Sequence, residues 1–255
     1  MCKKVHTTAD GSSTIFNAEI NQYYHNPNGA VTESLHVFFE TSGLLNYLKS
    51  AKSLTILEVG FGTGLNFLLL LGICIKRNLN IPIRFFSIEA SPLDTETAHQ
   101  LNFADHLENP SLKELLPEFF SGLKSGINLI KPLDGLDAEL HLFVGDFEAF
   151  DSKNLKADFI FHDPFSPEVN EELWTAEVFQ KLAGFSRPSV VVTTYSAASK
   201  ARGAMASAGW FVARAPGALG KREMTIASLE EAKLENFKRV NEQNLASRYK
   251  EGDFS

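Results

Sequence analysis

The chain has 255 residues, 44% hydrophobic and 22% charged, with a formal net charge of −7. This suits one large α/β domain or a domain with a small appendage, and the acidic balance counts against a protein that coats nucleic acid through a broad basic surface. Its apolar runs are far short of a membrane span and its start, MCKKVHTTADGSS, lacks a signal-peptide core, so no membrane is expected and the expected compartment is cytoplasmic.

Cys2 and Cys74 match no disulfide or metal spacing, and the seven histidines form no cluster. No metal is expected.

In chain order, residues 1–50 read as an N-terminal extension, turn-rich at NQYYHNPNGAVTES. LTILEVG (54–60) reads as a buried strand and 64–77 as a helix. IRFFSIE (83–89) is a second strand. A helix over 92–103 has Pro92 in its first turn. Residues 110–130 read as helical, with breaks at Pro117 and Gly126. ELHLFVG (139–145) and ADFIFHD (157–163) are the third and fourth strands, followed by a helix over 171–183. SVVVTTY (189–195) is a fifth strand, and 197–208 a helix. WFVARA and EMTIASL are spaced for a closing antiparallel hairpin at the sheet edge. Residues 230–255 read as a helical tail. Alternating strands and helices predict a doubly wound, mostly parallel sheet with helices on both faces. Ligands on such sheets bind beyond the carboxyl ends of the strands.

The stretch ILEVGFGTGLNFLLLL (56–71) falls at such an end. Its glycines follow G-x-G-x-G, one position too early for the dinucleotide pattern G-x-G-x-x-G. Glu58, two residues before the first glycine, would repel a pyrophosphate and attract a cation. S-adenosylmethionine has an ammonium and a sulfonium and no phosphate, and it fits Glu58, Gly60, Gly62 and Gly64 best. The expected sheet is therefore of the class I S-adenosylmethionine-dependent methyltransferase type. Glu89 ends the second strand, where an acid can accept both hydrogen bonds of a ribose diol. Asp146 follows the third, where it can take the adenine amine, with the Phe147 ring alongside. A bare tight turn and solvated strand-end acids are the plainer alternatives.

The fourth strand ends in FHDPFSP (161–167). Asp163-Pro164-Phe165 is similar to the Asp/Asn-Pro-Pro-aromatic motif of methyltransferases that act on exocyclic amines. A carboxylate at Asp163 can orient an amine and take its proton, and Phe165 can stack on a planar base. Capping of the next turn is the alternative for Asp163. His162 should face the other side of the strand.

These segments, with ESLHVFFETSGL, HDPFSPEVNEELW and GALGKREMTIA, resemble the methyltransferase domain of the MnmC family, bacterial enzymes of tRNA 5-methylaminomethyl-2-thiouridine synthesis. The match runs over about residues 15–229. It implies a methyltransferase domain over 51–229 that transfers a methyl group from S-adenosylmethionine to the primary amine of 5-aminomethyl-(2-thio)uridine at the tRNA wobble position. It implies cofactor contacts from Glu58, Gly60, Phe61, Gly62, Thr63, Gly64 and Asn66 as well as Glu89, Asp146 and Phe147, with Asp163 catalytic. Substrate contacts would come from Glu33, Phe165, Trp174, Lys221 and Arg222; a core position on a helix is the alternative for Trp174, and capping of a short helix for Glu33. Lys200, Arg202, Arg214 and Arg187 are further basic candidates for the phosphate-facing rim. The family's flavin-dependent domain does not follow Ser255, so the resemblance implies the stand-alone form, without flavin or metal. No protein partner is readable.

Three other functions share parts of this pattern. A spermidine-synthase-like aminopropyltransferase would need an acidic pocket and no Lys221 or Arg222. A DNA amino-methyltransferase would need a target-recognition region. A non-catalytic cofactor-fold interaction protein would not need Glu58, Glu89 and Asp163.

Overall fold

The computed structural model describes residues 3–107, 109 and 112–254. Among these, twelve strands form two sheets. The smaller is antiparallel, built from β1 (Lys3–Thr7), β2 (Ser13–Asn17) and β3 (Gln22–Tyr23). Short helical segments follow: α1 (Ala30–Ser34), a π-helical turn over Leu35–Glu40, and α2 (Leu44–Tyr47).

The larger sheet begins at β4 (Leu54–Val59), which leads into α3 (Leu65–Lys76). Next come β5 (Ile83–Glu89), α4 (Thr95–His99), α5 (Leu115–Glu118), β6 (Gly126–Ile130) and β7 (Ala138–Val144). Then follow β8 (Ala157–His162), α6 (Ala176–Gly184), β9 (Ser186–Thr194) and α7 (Ser199–Ser207). The chain closes with β10 (Phe211–Pro216), β11 (Glu223–Ser228), β12 (Lys238–Arg239) and α8 (Glu242–Glu251).

The strand order is β12-β10-β11-β9-β8-β4-β5-β7-β6. The five strands from β9 to β7 run parallel, and the pairs outside them are antiparallel. From β4 the chain first builds toward β5 and β7, then returns to β8 and β9. The ends of β4, β5 and β8 are thus a topological switch point, where a crevice opens.

β4 is apolar on both faces, as a central parallel strand must be. Leu54 and Ile56 enter the core beneath α3, and Leu57 and Val59 enter the core on the other face. Residues 1–50 were expected as an N-terminal extension, turn-rich at 21–34; the described part of it also holds the smaller sheet and supplies Ile15, Val37, Phe38, Phe39 and Leu44 to the core under α3. Phe38 and Phe39 pack 5.0 and 5.6 Å from the Phe161 ring.

Four expectations are corrected. The helix expected over 92–103 is only five residues long; Asp94 caps it by accepting from the Thr97 amide at 2.6 Å, so Pro92 lies outside it. The helix expected over 110–130 shrinks to the single turn α5, and GINLI after it is the edge strand β6; residues 110 and 111 and Cys2 lie outside the described residues. The β10–β11 hairpin sits one strand in from the edge, because Lys238 and Arg239 pair outside β10. The tail holds that strand as well as α8, which packs on α7 where Gly203 admits Tyr249 and Phe254.

Candidate active site

The loops leaving β4, β5, β7 and β8 enclose a cavity of about 1090 Å³, and residues 22–27 close it from above. Gly60 takes φ +91°, and the β8 end passes directly against it: a Cβ there would lie 2.7 Å from the Asp163 carbonyl oxygen. Only glycine lets the two strand ends come this close. The Asp163 amide donates to the Val59 carbonyl at 2.9 Å, so the acid is fixed to the glycine turn through the backbone.

Glu58 is 1% exposed and does not itself line the cavity. Ser87 Oγ donates to one carboxyl oxygen at 2.6 Å, and Asn66 Nδ2 donates to the other at 2.9 Å. Burial pushes Glu58 up to about 8 despite these two bonds, and the Glu89 charge adds to the rise. Asn66 is the wall between Glu58 and the cavity. Its Nδ2 also reaches Asp163 Oδ2 at 3.3 Å. With its nitrogen toward both carboxyl groups, the amide donates to each. That leaves Asn66 Oδ1 buried without a protein partner.

Glu89 accepts from the Gly62 amide and the Ser91 amide, both at 2.8 Å. It therefore ties the glycine turn to the end of β5, and each oxygen keeps a lone pair for a further donor. The Tyr24 ring covers Gly62, where an added Cβ would stand 3.6 Å from it. Burial, then the nearby Glu89 charge, raises the Tyr24 hydroxyl above its usual range. Asp146 is exposed at the cavity wall, while the Phe147 ring is buried beneath Lys181 Nζ at 5.0 Å.

These residues fit S-adenosylmethionine. Asn66 Oδ1 is an orphan acceptor suited to an ammonium, Glu89 can receive a diol, and the turn leaves room for backbone approach without phosphate-binding charges. Thr63 and Gly64 belong to the turn itself rather than to the wall. Thr63 Oγ1 is 2.6 Å from His25 Nε2, and Gly64 caps α3 with φ +74°.

A family profile described as S-adenosyl-L-methionine-dependent methyltransferase matches residues 108–230. The chain is 33% identical over 217 residues to the tRNA 5-methylaminomethyl-2-thiouridine biosynthesis bifunctional protein MnmC of Ralstonia nicotianae, covering 84% of this chain and 33% of the relative. The Leptospira interrogans protein of the same name is 30% identical over 224 residues, covering 86% and 34%. The crystal structure of MnmC2 from Aquifex aeolicus superposes with a TM-score of 0.73 at 26% identity, over 97% of this chain and 75% of that one. The chain has the fold of S-adenosyl-L-methionine-dependent methyltransferases. It spans about a third of the length of the curated relatives it matches.

Within this methyltransferase fold, Asp163, Phe165, Glu33 and Lys221 share the cavity wall. Burial raises the Asp163 carboxyl well above its usual range, as do the Glu58 and Glu33 charges; the Asn66 bond and the Lys221 charge oppose them. Phe165 meets Tyr24 edge-on at 5.0 Å.

Several expected contacts are not brought to the site. Trp174 is 1% exposed and donates through Nε1 to the Phe165 carbonyl at 2.9 Å, so it buttresses the β8 loop and offers no face to a base. His162 packs against it on the far side of the strand. Arg202 is buried and bonded to Thr225, Glu223 and the Met224 carbonyl. Arg187 pairs with Asp158 at the opposite end of the sheet. Lys200 pairs with Glu171, and Arg214 with Glu223. Arg222 is exposed and lines a second cavity of about 560 Å³ beside the first. Lys221 faces inward, paired with Glu33 at 2.8 Å.

Four residues that line the cavity were not expected from the sequence: Gln22, Tyr24, His25 and Tyr195. Gln22 Nε2 donates to Ser166 Oγ at 2.7 Å and joins the N-terminal sheet to the β8 loop. The signal for the first three was present, since NQYYHNPNG puts aromatics and amides in a turn.

Among the described residues, no three His, Cys, Asp or Glu side chains are placed to hold a metal ion, and no helix is long and apolar enough to cross a membrane.

Proposed function

We propose that this protein methylates the primary amine of 5-aminomethyl-(2-thio)uridine at the tRNA wobble position, in the cytoplasm. The observation that carries the reading is the Glu58–Asn66–Asp163 bridge. It supports the reading because Asp163, an acid suited to orient an amine, lines the same cavity as the glycine turn. Bound S-adenosylmethionine would supply an electrophilic methyl group on its sulfonium. The chain's own residues prepare the nucleophile. A primary alkylammonium, with a lysine-like pKa near ~10.4, cannot attack until it loses a proton. Asp163 is suited to receive that proton, because its surroundings raise its basicity above that of a solvated carboxylate. The acid then holds an N–H so that the lone pair faces the methyl group. Phe165 and Tyr24 form an aromatic wall suited to a uracil ring.

The names of the curated relatives support tRNA as the substrate. Glu33 in the cavity wall is already paired with Lys221, which leaves a polyamine no unpaired carboxylate at that place. The test is transfer of a labelled methyl group from S-adenosylmethionine to tRNA that carries aminomethyluridine. Transfer to that tRNA, and none to tRNA with unmodified wobble uridine, is expected. Transfer to spermidine or putrescine instead would overturn the reading.

A further inference from the structure

Beside Asp163, the cavity wall holds a cage for a cation. Lys221 Nζ is 2.8 Å from Glu33 Oε1 and 5.1 Å from the centroid of the Tyr195 ring. One carboxylate plus one aromatic face is a recognition set for an alkylammonium. Both walls of the cage are fixed without the lysine. The Asn26 backbone amide and Nδ2 donate to Glu33 at 3.1 and 3.2 Å, and the Tyr195 hydroxyl donates to the Pro164 carbonyl at 2.8 Å. Pro164 directly follows Asp163, so the cage adjoins the amine-orienting acid.

The occupant is less firmly held than the walls. The Lys221 side chain is 43% exposed against 12% for Glu33, and a half-exposed ion pair contributes little net stability. It springs from the turn between β10 and β11 and lines the second cavity too, next to Arg214 and Arg222. The same ammonium can therefore serve either space.

We propose that Glu33 and Tyr195 form a subsite for the primary ammonium of the acceptor, that Lys221 Nζ occupies this subsite in the free protein, and that the incoming acceptor displaces it toward Arg214 and Arg222. This rests on the amine-methylation reading above and goes beyond it by naming the subsite and its internal competitor. Exchange of one ammonium for another keeps the cavity's charge constant, so no additional charge is desolvated. The displaced lysine joins two arginines on a surface that an acceptor's phosphates would approach. An amine without phosphates has to compete with Lys221 unaided, which disfavours small cellular amines.

The test uses free 5-aminomethyluridine, a nucleoside without phosphate, titrated calorimetrically into the protein saturated with S-adenosylhomocysteine. Lys221→Met should tighten nucleoside binding at least fivefold, and Glu33→Gln should weaken it at least fivefold. In the Glu33→Gln background, Lys221→Met should change affinity less than twofold, because the competitor has lost its anchor. Plain uridine should not respond to Lys221→Met. Retained S-adenosylhomocysteine affinity and melting temperature in each variant show that the fold is intact. Unchanged or weaker nucleoside binding in Lys221→Met would overturn the proposal, as would an equal gain for uridine or no nucleoside binding to any variant. Wild-type methyl transfer to aminomethyluridine tRNA is measured alongside. Its absence removes the functional reading itself, whereas transfer without a Lys221 response removes only this subsite.

Discussion

Gly60 and Asp163 meet across the ends of two parallel strands, so close that a methyl group on Gly60 would lie 2.7 Å from the Asp163 carbonyl oxygen. The obstacle is backbone, which no rotamer change relieves, and Gly60 also takes φ +91°. Gly60→Ala should therefore cost about 2–4 kcal/mol, combining backbone strain with overpacking. Gly122 has a comparable positive φ and open space around it. Gly122→Ala should cost only the left-handed penalty of about 1–2 kcal/mol. Denaturant unfolding of both variants checks this, and equal losses would mean that the strand-end contact contributes nothing.

Glu58 gives a pH prediction with a definite sign. Burial holds its folded pKa at about 8, above the 4.5 of an ordinary glutamate. Between those values the folded state binds more protons than the unfolded state, so stability falls as pH rises. The contribution is fully present below about 4.5 and lost once the pH passes about 8. Glu58→Gln, whose amide can still accept from Asn66 and donate to Ser87, should flatten this decline. The size is a few kcal/mol across the window, at ~1.4 kcal/mol per unit of pKa difference. Unfolding at pH 5, 6.5 and 8.5 would read the difference, and parallel curves for the two proteins would assign the decline to other groups.

The central parallel sheet was legible because β4 and β8 are buried along almost their whole length, while β5 and β9 carry short apolar runs in their buried parts. The places of the glycine turn, Glu89 and Asp163 on the cavity were legible because the sheet rule puts the crevice at the strand ends. The edges were not. GINLI is half exposed, its Ile127 and Leu129 facing solvent, and it follows a proline-bearing turn that looked like a broken helix. The N-terminal sheet was missed because its strands are five residues or fewer and mostly polar. With it went Tyr24 and His25, whose approach to Gly62 and Thr63 depends on tertiary folding across some 40 residues. Arginine positions misled for a related reason: charge in a sequence does not reveal burial, and Arg202 is bonded inside the protein rather than presented to a phosphate.

Asp163 separates chemistry from binding. Asp163→Asn keeps the shape and can still meet Asn66 by turning its amide oxygen toward Nδ2. Affinity for S-adenosylmethionine should stay within about threefold, since the binding groups proposed for it lie on Asn66 and Glu89. Methyl transfer should fall by roughly 10²–10⁴-fold, the scale of a lost general base. Single-turnover rates at saturating tRNA, beside calorimetric cofactor affinities, test the division. A rate within tenfold of wild type would take Asp163 out of the proton pathway.

Arg222 and Arg187 lie at opposite ends of the sheet, and this makes them a matched pair for locating the RNA surface. Arg222 lines the second cavity, which shares Lys221 and Tyr195 with the first, whereas Arg187 pairs with Asp158 where β8 and β9 begin. The protein's net charge of −7 repels a polyanion overall, so attraction has to be local and should depend steeply on salt. Each phosphate contact contributes a slope of about 0.7–0.9 in log affinity against log salt. Arg222→Glu should weaken tRNA binding and lower that slope by about one contact, with cofactor affinity unchanged. Arg187→Glu should leave the slope as it is. Filter-binding isotherms between 50 and 200 mM salt, a range in which such contacts respond strongly, make the comparison. A slope altered by Arg187→Glu and not by Arg222→Glu would move the RNA to the far end of the sheet, away from Asp163, and would leave the cavity without a route to the wobble base.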